Sequence, residues 1–193
     1  MSDRGDRPNS SPIGSRGLTK EELLLARQVF GNEIQYSRVR IVERAFWGVE
    51  TEKTNRVMAP EGNIYFPKRG KRYRENFGLE SLKDKALFIH EMTHIWQSHN
   101  NLPTYVSIVG MFQRTYKYNL TEDTDFYSLG IEQQASVIEH FYIITQGIRL
   151  NNDIPPTTYR KVIPKSLFPG RFFATAPQKR LAPKPASPTE SVN

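Results

Sequence analysis

The segment at residues 86–97, ALFIHEMTHIWQ, constrains this chain more than any other. Ala86, Leu87, Phe88, Ile89, Ile95 and Trp96 make it apolar, yet His90, Glu91 and His94 lie among them. Unpaired imidazoles and carboxylates are costly to bury, so the fold must supply them with partners. Residues four apart on a helix share one face, and His90 and His94 can therefore present both rings to a single cation. Glu91 sits roughly 100° round the helix and does not ligate alongside them. It is placed instead to take a proton from a metal-activated water. H-E-x-x-H on a helix is thus a more specific signal than a pair of histidines. Two incidental surface histidines are the competing explanation. The chain has only four His, however, and two of them bracket a glutamate inside an apolar segment.

A catalytic zinc usually keeps three protein ligands and an open position. With no cysteine in the chain, the site must be built from His, Asp and Glu. Downstream candidates are His99, Glu132, Glu139 and His140. His99, five residues past His94, points away from the shared face. Glu132 and Glu139 lie seven apart on one flank of a later helix. His140 falls about 80–100° further round and reads as solvent-facing. Spacing leaves Glu132 and Glu139 nearly tied as third ligand, with Glu139 also suited to hydrogen-bond a ligand histidine.

The remainder suits one domain with tails. Residues 1–17 read as a disordered tail without the apolar stretch of a secretory signal. No apolar run approaches the roughly 18 residues of a membrane span. LTKEELLLARQVFG, at 18–31, predicts a helix: Thr19 caps it, Glu22 completes a capping box, Leu23, Ala26, Arg27 and Phe30 follow at helical spacing, and Gly31 stops it. Val39 and Ile41 alternate with Arg38 and Arg40 as in a strand. RVMAPEGNIYFP reads as a hairpin about PEGN, with Ile64, Tyr65 and Phe66 as a strand closed by Pro67. Residues 79–98 and 103–116 read as helices. In 129–150, Ile131, Ala135, Ile138 and Tyr142, with Val137, Phe141, Ile144 and Ile148 beside them, give a broad apolar face. Beyond Asn151 the periodicity stops. The expected fold class is α+β: a single domain over 18–153, its active-site helix and glutamate helix packed on a short antiparallel or mixed sheet, then a basic Pro-rich tail over 154–193.

HEMTHIWQ followed by IEQQASVIEHFY resembles the small gluzincins, zinc metallopeptidases with HExxH on one helix and a glutamate ligand on a later one. More narrowly, His90, Glu91, Thr93, His94, Trp96 and Gln97, the Tyr116–Tyr118 pair, and Glu132, Gln133, Gln134 and Ala135 resemble the compact Vgr-related proteins encoded beside bacterial Rhs and Vgr genes. The resemblance covers 18–150. It implies a zincin-like form of the fold, Zn2+ held by His90, His94 and Glu132, and Glu91 as general base. It also implies an edge strand, for which GNIYFP at 62–67 is the candidate, to pair with extended substrate. A hydroxyl from Tyr116 or Tyr118 would stabilise the oxyanion.

Three functions follow. The first is a zinc metallopeptidase acting on a peptide or protein substrate, associated with a Rhs/Vgr-type secretion apparatus, and either cytoplasmic or exported without a signal peptide. The second is a metal-stabilised binding module without proteolysis. An intact Glu91 favours the first, since a structural site gains nothing evident from that carboxylate. The third is nucleic-acid binding through KRGKRYR at 68–74 and the tail. The net charge is +7, and residues 159–193 carry seven Lys/Arg and one acid, or +6 of it. The basicity belongs to the tail, and no helix-turn-helix, RNA-recognition or zinc-finger pattern accompanies it. The tail also holds Leu167, Phe168, Phe172 and Phe173, apolar enough to lie across the cleft or to pack as a C-terminal wrap.

Overall fold

The computed structural model describes residues 14–46, 57–100 and 115–170. Among these, four helices and a three-stranded sheet form an α+β fold. In chain order they are β1 (Ser15–Arg16), α1 (Lys20–Phe30), β2 (Arg40–Val42), β3 (Asn63–Tyr65), α2 (Leu82–His99), α3 (Ile131–Thr145) and α4 (Pro156–Val162). No helix among the described residues is long and apolar enough to cross a membrane.

Strand β2 is central, with β1 antiparallel on one side and β3 parallel on the other, Ile41 opposite Ile64. The hairpin expected about PEGN is reduced to one bridge. Pro60–Gly62 forms a single 3-10 turn, and the chain before it meets β3 only where Met58 and Tyr65 exchange both backbone hydrogen bonds. That arrangement also corrects the expectation of an open edge strand. The outward amide of Asn63 donates to the Pro60 carbonyl and that of Tyr65 to Met58, so neither is free to pair with a substrate backbone.

Helix α1 begins as the sequence indicates. The Thr19 hydroxyl accepts from the Glu22 amide, and the Glu22 carboxylate accepts from the Thr19 amide. The buried face is Leu25, Ala26, Val29 and Phe30; Leu23 is only partly covered and Arg27 is exposed. Gly31 ends the helix at φ +52°, in the region that favours glycine.

Glu22 has a second task. Fully buried, it takes both ends of the Arg16 guanidinium at 2.7 and 2.8 Å and the Phe77 amide at 2.9 Å. Arg16 continues to the Arg74 carbonyl. Residues 14–17, expected in the tail, are therefore pinned to the domain. Beside this knot a Cβ on Gly78 would lie 2.5 Å from that of Glu21, so the chain can pass over α1 only as glycine. Glu22→Ala removes a cap and leaves Arg16 without its carboxylate. A loss on the order of 3 kcal/mol is expected, read as a lower denaturation midpoint at unchanged m-value.

Phe66, Phe77 and Phe88 stack at centroid separations of 4.9 and 5.6 Å, joining the end of β3 to α2. Helix α3 packs along α2. Its buried face includes Ala135, Val137, Ile138, Phe141 and Tyr142, close to the expected stripe, while Ile131, Ile144 and Ile148 are only half-covered. The packed unit continues past residue 153. Helix α4 and the chain after it bury Tyr159, Val162, Ile163, Leu167 and Phe168 in the same core. Phe172 and Phe173 lie outside the described residues, as does the expected helix at 103–116 except for Thr115 and Tyr116, which are not helical. In the basic loop, Arg74 is paired with Asp84 at 3.3 Å and Glu80 at 3.7 Å.

Candidate metal centre

Helix α2 starts at an N-cap, Ser81, whose hydroxyl accepts from the Asp84 amide. Its residues from Phe88 to Gln97 are all buried, because the core covers one side and α3 the other. His90 and His94 lie in this stretch, their rings 5.1 Å apart and steeply inclined at 78°. Glu132 is in the first turn of α3, where the helix dipole favours a carboxylate. Its Oε2 stands 3.2 Å from His90 Nε2 and 3.4 Å from His94 Nε2. Among the described residues these three form the cluster suited to a metal, their ligand atoms all within 4.8 Å of one another.

The far side of each ring is held. His90 Nδ1 donates to Glu139 Oε2 at 2.9 Å, and His94 Nδ1 donates to Gln97 Oε1 at 2.8 Å. The Gln97 amide must turn its oxygen to His94, because its nitrogen donates to the Ile131 carbonyl and to Gln134 Oε1. Gln134 is fixed in turn by the Leu129 carbonyl. With each Nδ1 donating outward, both Nε2 atoms are turned towards Glu132. This is the arrangement in which outer hydrogen bonds orient metal-binding imidazoles.

The electrostatics agree. Burial alone would lower the His90 pKa, but hydrogen bonds to Glu132 and Glu139 outweigh it and raise it to about 10. Burial would raise that of Glu132, yet the two histidines hold it well below the usual carboxylate range. Protonated His90 and ionised Glu132 thus form a pair at the point where a cation would take the place of the Nε2 hydrogen. Two imidazoles and a carboxylate, with no thiolate, suit zinc and other first-row divalent ions. Glu91 is buried as well, and burial pushes its carboxyl above the ordinary range against the pull of His90 and His94.

Of the residues singled out from the sequence, the structure gathers His90, His94 and Glu132, with Glu91 beside them on α2. The Glu132/Glu139 tie is broken by position: Glu132 faces both Nε2 atoms and Glu139 sits behind one ring. The Tyr116 ring centroid is 6.2 Å from that of His90, and the residue is 48% exposed. Tyr118 is elsewhere, its hydroxyl bonded to His140 and Tyr159. His140 is therefore half-buried against Tyr118 and not turned to solvent. His99 accepts from the Gln35 amide, outside the cluster as expected. Gln97 and Gln134 enter the sequence reading only as motif residues without a role, and Tyr159 is not singled out. Gln97, at i+3 from His94, had the right spacing to be noticed.

No protein-family model matches the chain. Over 138 residues it is 36% identical to the type VI secretion system spike protein VgrG2b of Pseudomonas aeruginosa, an alignment taking in 66% of this chain. The solved effector domain of that protein superposes with a TM-score of 0.61 at 28% identity, covering 81% of this chain and 84% of that one. The chain is homologous to the VgrG2b effector domain. The homology meets the expected resemblance on its Vgr side. It reaches only 13% of the length of the full spike protein, so the correspondence is with the effector portion.

Proposed function

We propose that this chain is a zinc-dependent peptidase of zincin-like architecture, acting as an effector associated with a Vgr-type secretion apparatus. The observation that carries the proposal is the convergence of two outward-braced imidazoles and one carboxylate from separate helices on a single point. His90, His94 and Glu132 would hold the ion, which when bound would supply Lewis acidity there. Glu91 accepts a proton from the water that adds to a peptide carbonyl and passes it to the departing amine. Burial holds its carboxyl above the ordinary range, the direction that makes it a stronger acceptor for a proton from water. Tyr116, at the rim, offers a phenolic hydrogen to the oxyanion. A purely scaffolding site has no use for a buried Glu91, which favours the enzyme over a metal-stabilised binding module.

Metal analysis of the purified chain and three variants tests the ligand set. Near-equimolar zinc is expected in the wild type, with marked loss in His94→Ala and in Glu132→Ala. Glu139→Ala should retain the metal with affinity reduced about 10–100-fold, as befits a residue that only orients a ligand. Zinc kept by Glu132→Ala and lost by Glu139→Ala would exchange their roles.

A further inference from the structure

Beside the metal centre runs a chain of hydrogen bonds that the peptidase reading leaves unused. Asn152 Nδ2 lies 2.7 Å from the Tyr159 hydroxyl, which lies 2.7 Å from the Tyr118 hydroxyl, which in turn meets His140 Nδ1. The amide nitrogen can only donate, so Tyr159 accepts from it. Tyr159 then donates to Tyr118, and Tyr118 donates to His140. The opposite sense would leave the hydrogen of fully buried Tyr159 without an acceptor among the described residues. His140 thereby accepts at Nδ1, carries its proton on Nε2 and is neutral.

This chain fastens the irregular segment 115–120 to α3 through His140 and to α4 through Tyr159. A second tie reaches the neighbouring residue, where Gln133 Nε2 donates to the Lys117 carbonyl at 2.7 Å. Both ties involve α3, the helix that also carries Glu132 and Glu139. Tyr116 directly precedes these two fastened residues, and its half-exposed ring stands beside His90. Its backbone beside the metal centre is thus tied down through Lys117 and Tyr118.

We infer that Asn152, Tyr159, Tyr118 and His140 form a positioning lock that holds Tyr116 at the rim of the metal centre. Tyr118 acts through Tyr116 and not on the reacting atoms, and α4 becomes part of the site's support. The lock rests on the proposed peptidase activity only for what Tyr116 does once positioned.

The experiment uses the full chain with 3-fluorotyrosine at position 116, followed by fluorine NMR with and without zinc, alongside steady-state turnover. Tyr118→Phe is expected to keep the wild-type circular dichroism and zinc content while moving the Tyr116 resonance towards that of a free fluorotyrosine. Turnover should fall roughly 3–10-fold in kcat with KM little changed, as for one lost hydrogen bond. Adding Tyr118→Phe to Tyr116→Phe should cost nothing more, because both act through one group. Should Tyr118→Phe fail to fold, Asn152→Ala loosens the same chain from its outer end and is read in the same way. A folded variant whose Tyr116 resonance stays in place overturns the lock, whatever the activity. Turnover insensitive to Glu91→Gln would overturn the peptidase reading separately, with the fluorine result still deciding the lock.

Discussion

Glu91→Gln should leave zinc content and thermal midpoint at or slightly above wild-type values and cut turnover by about 10²–10⁴-fold, the range spanned by loss of a general base. The two effects diverge for one reason. Glu91 is a buried carboxylate near Glu132 and Glu139, so its charge is a burden on the folded state. An amide of the same shape removes that burden and leaves His90 and His94 where their outer partners hold them. It cannot accept a proton at neutral pH, so water attack loses its base. A panel of fluorescence-quenched peptides, read together with metal content, separates the outcomes. Turnover that survives the substitution removes Glu91 from the mechanism. Metal lost with it would mean that the carboxylate helps to build the site and does not act over it.

The second large effect is on stability. A chain ending at residue 153 is expected not to fold. On the sequence alone, removing everything after 153 would strip a linker, a cover over the cleft or a C-terminal wrap; the packing decides for the last. Tyr159 stacks on Phe141 at 6.1 Å, Phe168 meets the edge of the same ring at 4.8 Å, and Val162, Ile163 and Leu167 are buried with them. The Phe168 amide also donates to the Val29 carbonyl at 2.6 Å, closing the C-terminal segment onto α1. Five such side chains at about 1.5–3 kcal/mol each sum to something on the order of 10 kcal/mol, comparable to the whole stability of an ordinary domain. Cut after 153, the chain should show no cooperative thermal transition and poorly dispersed amide resonances. A cooperative transition near the wild-type midpoint would show that this segment is dispensable.

Much of the site was legible before any coordinates. The capping box at Thr19 and Glu22, the helix bearing HEMTH and the apolar face of α3 all follow from local rules, where spacing along the chain fixes direction on a helix. The four-residue step from His90 to His94 placed two imidazoles on one face in the same way. The resemblance to Vgr-related proteins named Glu132; residue spacing did not. What spacing could not supply was depth and rotation between helices. Glu132 and Glu139 share a flank of α3, and the way α3 lies along α2 sends one to both Nε2 atoms and the other to a single Nδ1.

The same limit explains the misreadings. Tyr116 and Tyr118 were equivalent as residues two apart, until α3 and α4 claimed the second hydroxyl. His140 looked solvent-facing because only its own helix was in view. Helix α4 escaped notice because seven residues beginning at a proline offer too few turns for a periodic signal, and its stability comes from burial against Phe141. By itself the sequence determined which chemical groups stand on which face of which helix, since that depends on backbone periodicity alone. Only the tertiary structure decided which faces meet, because those contacts depend on side chains far apart in the chain whose packing no local pattern encodes.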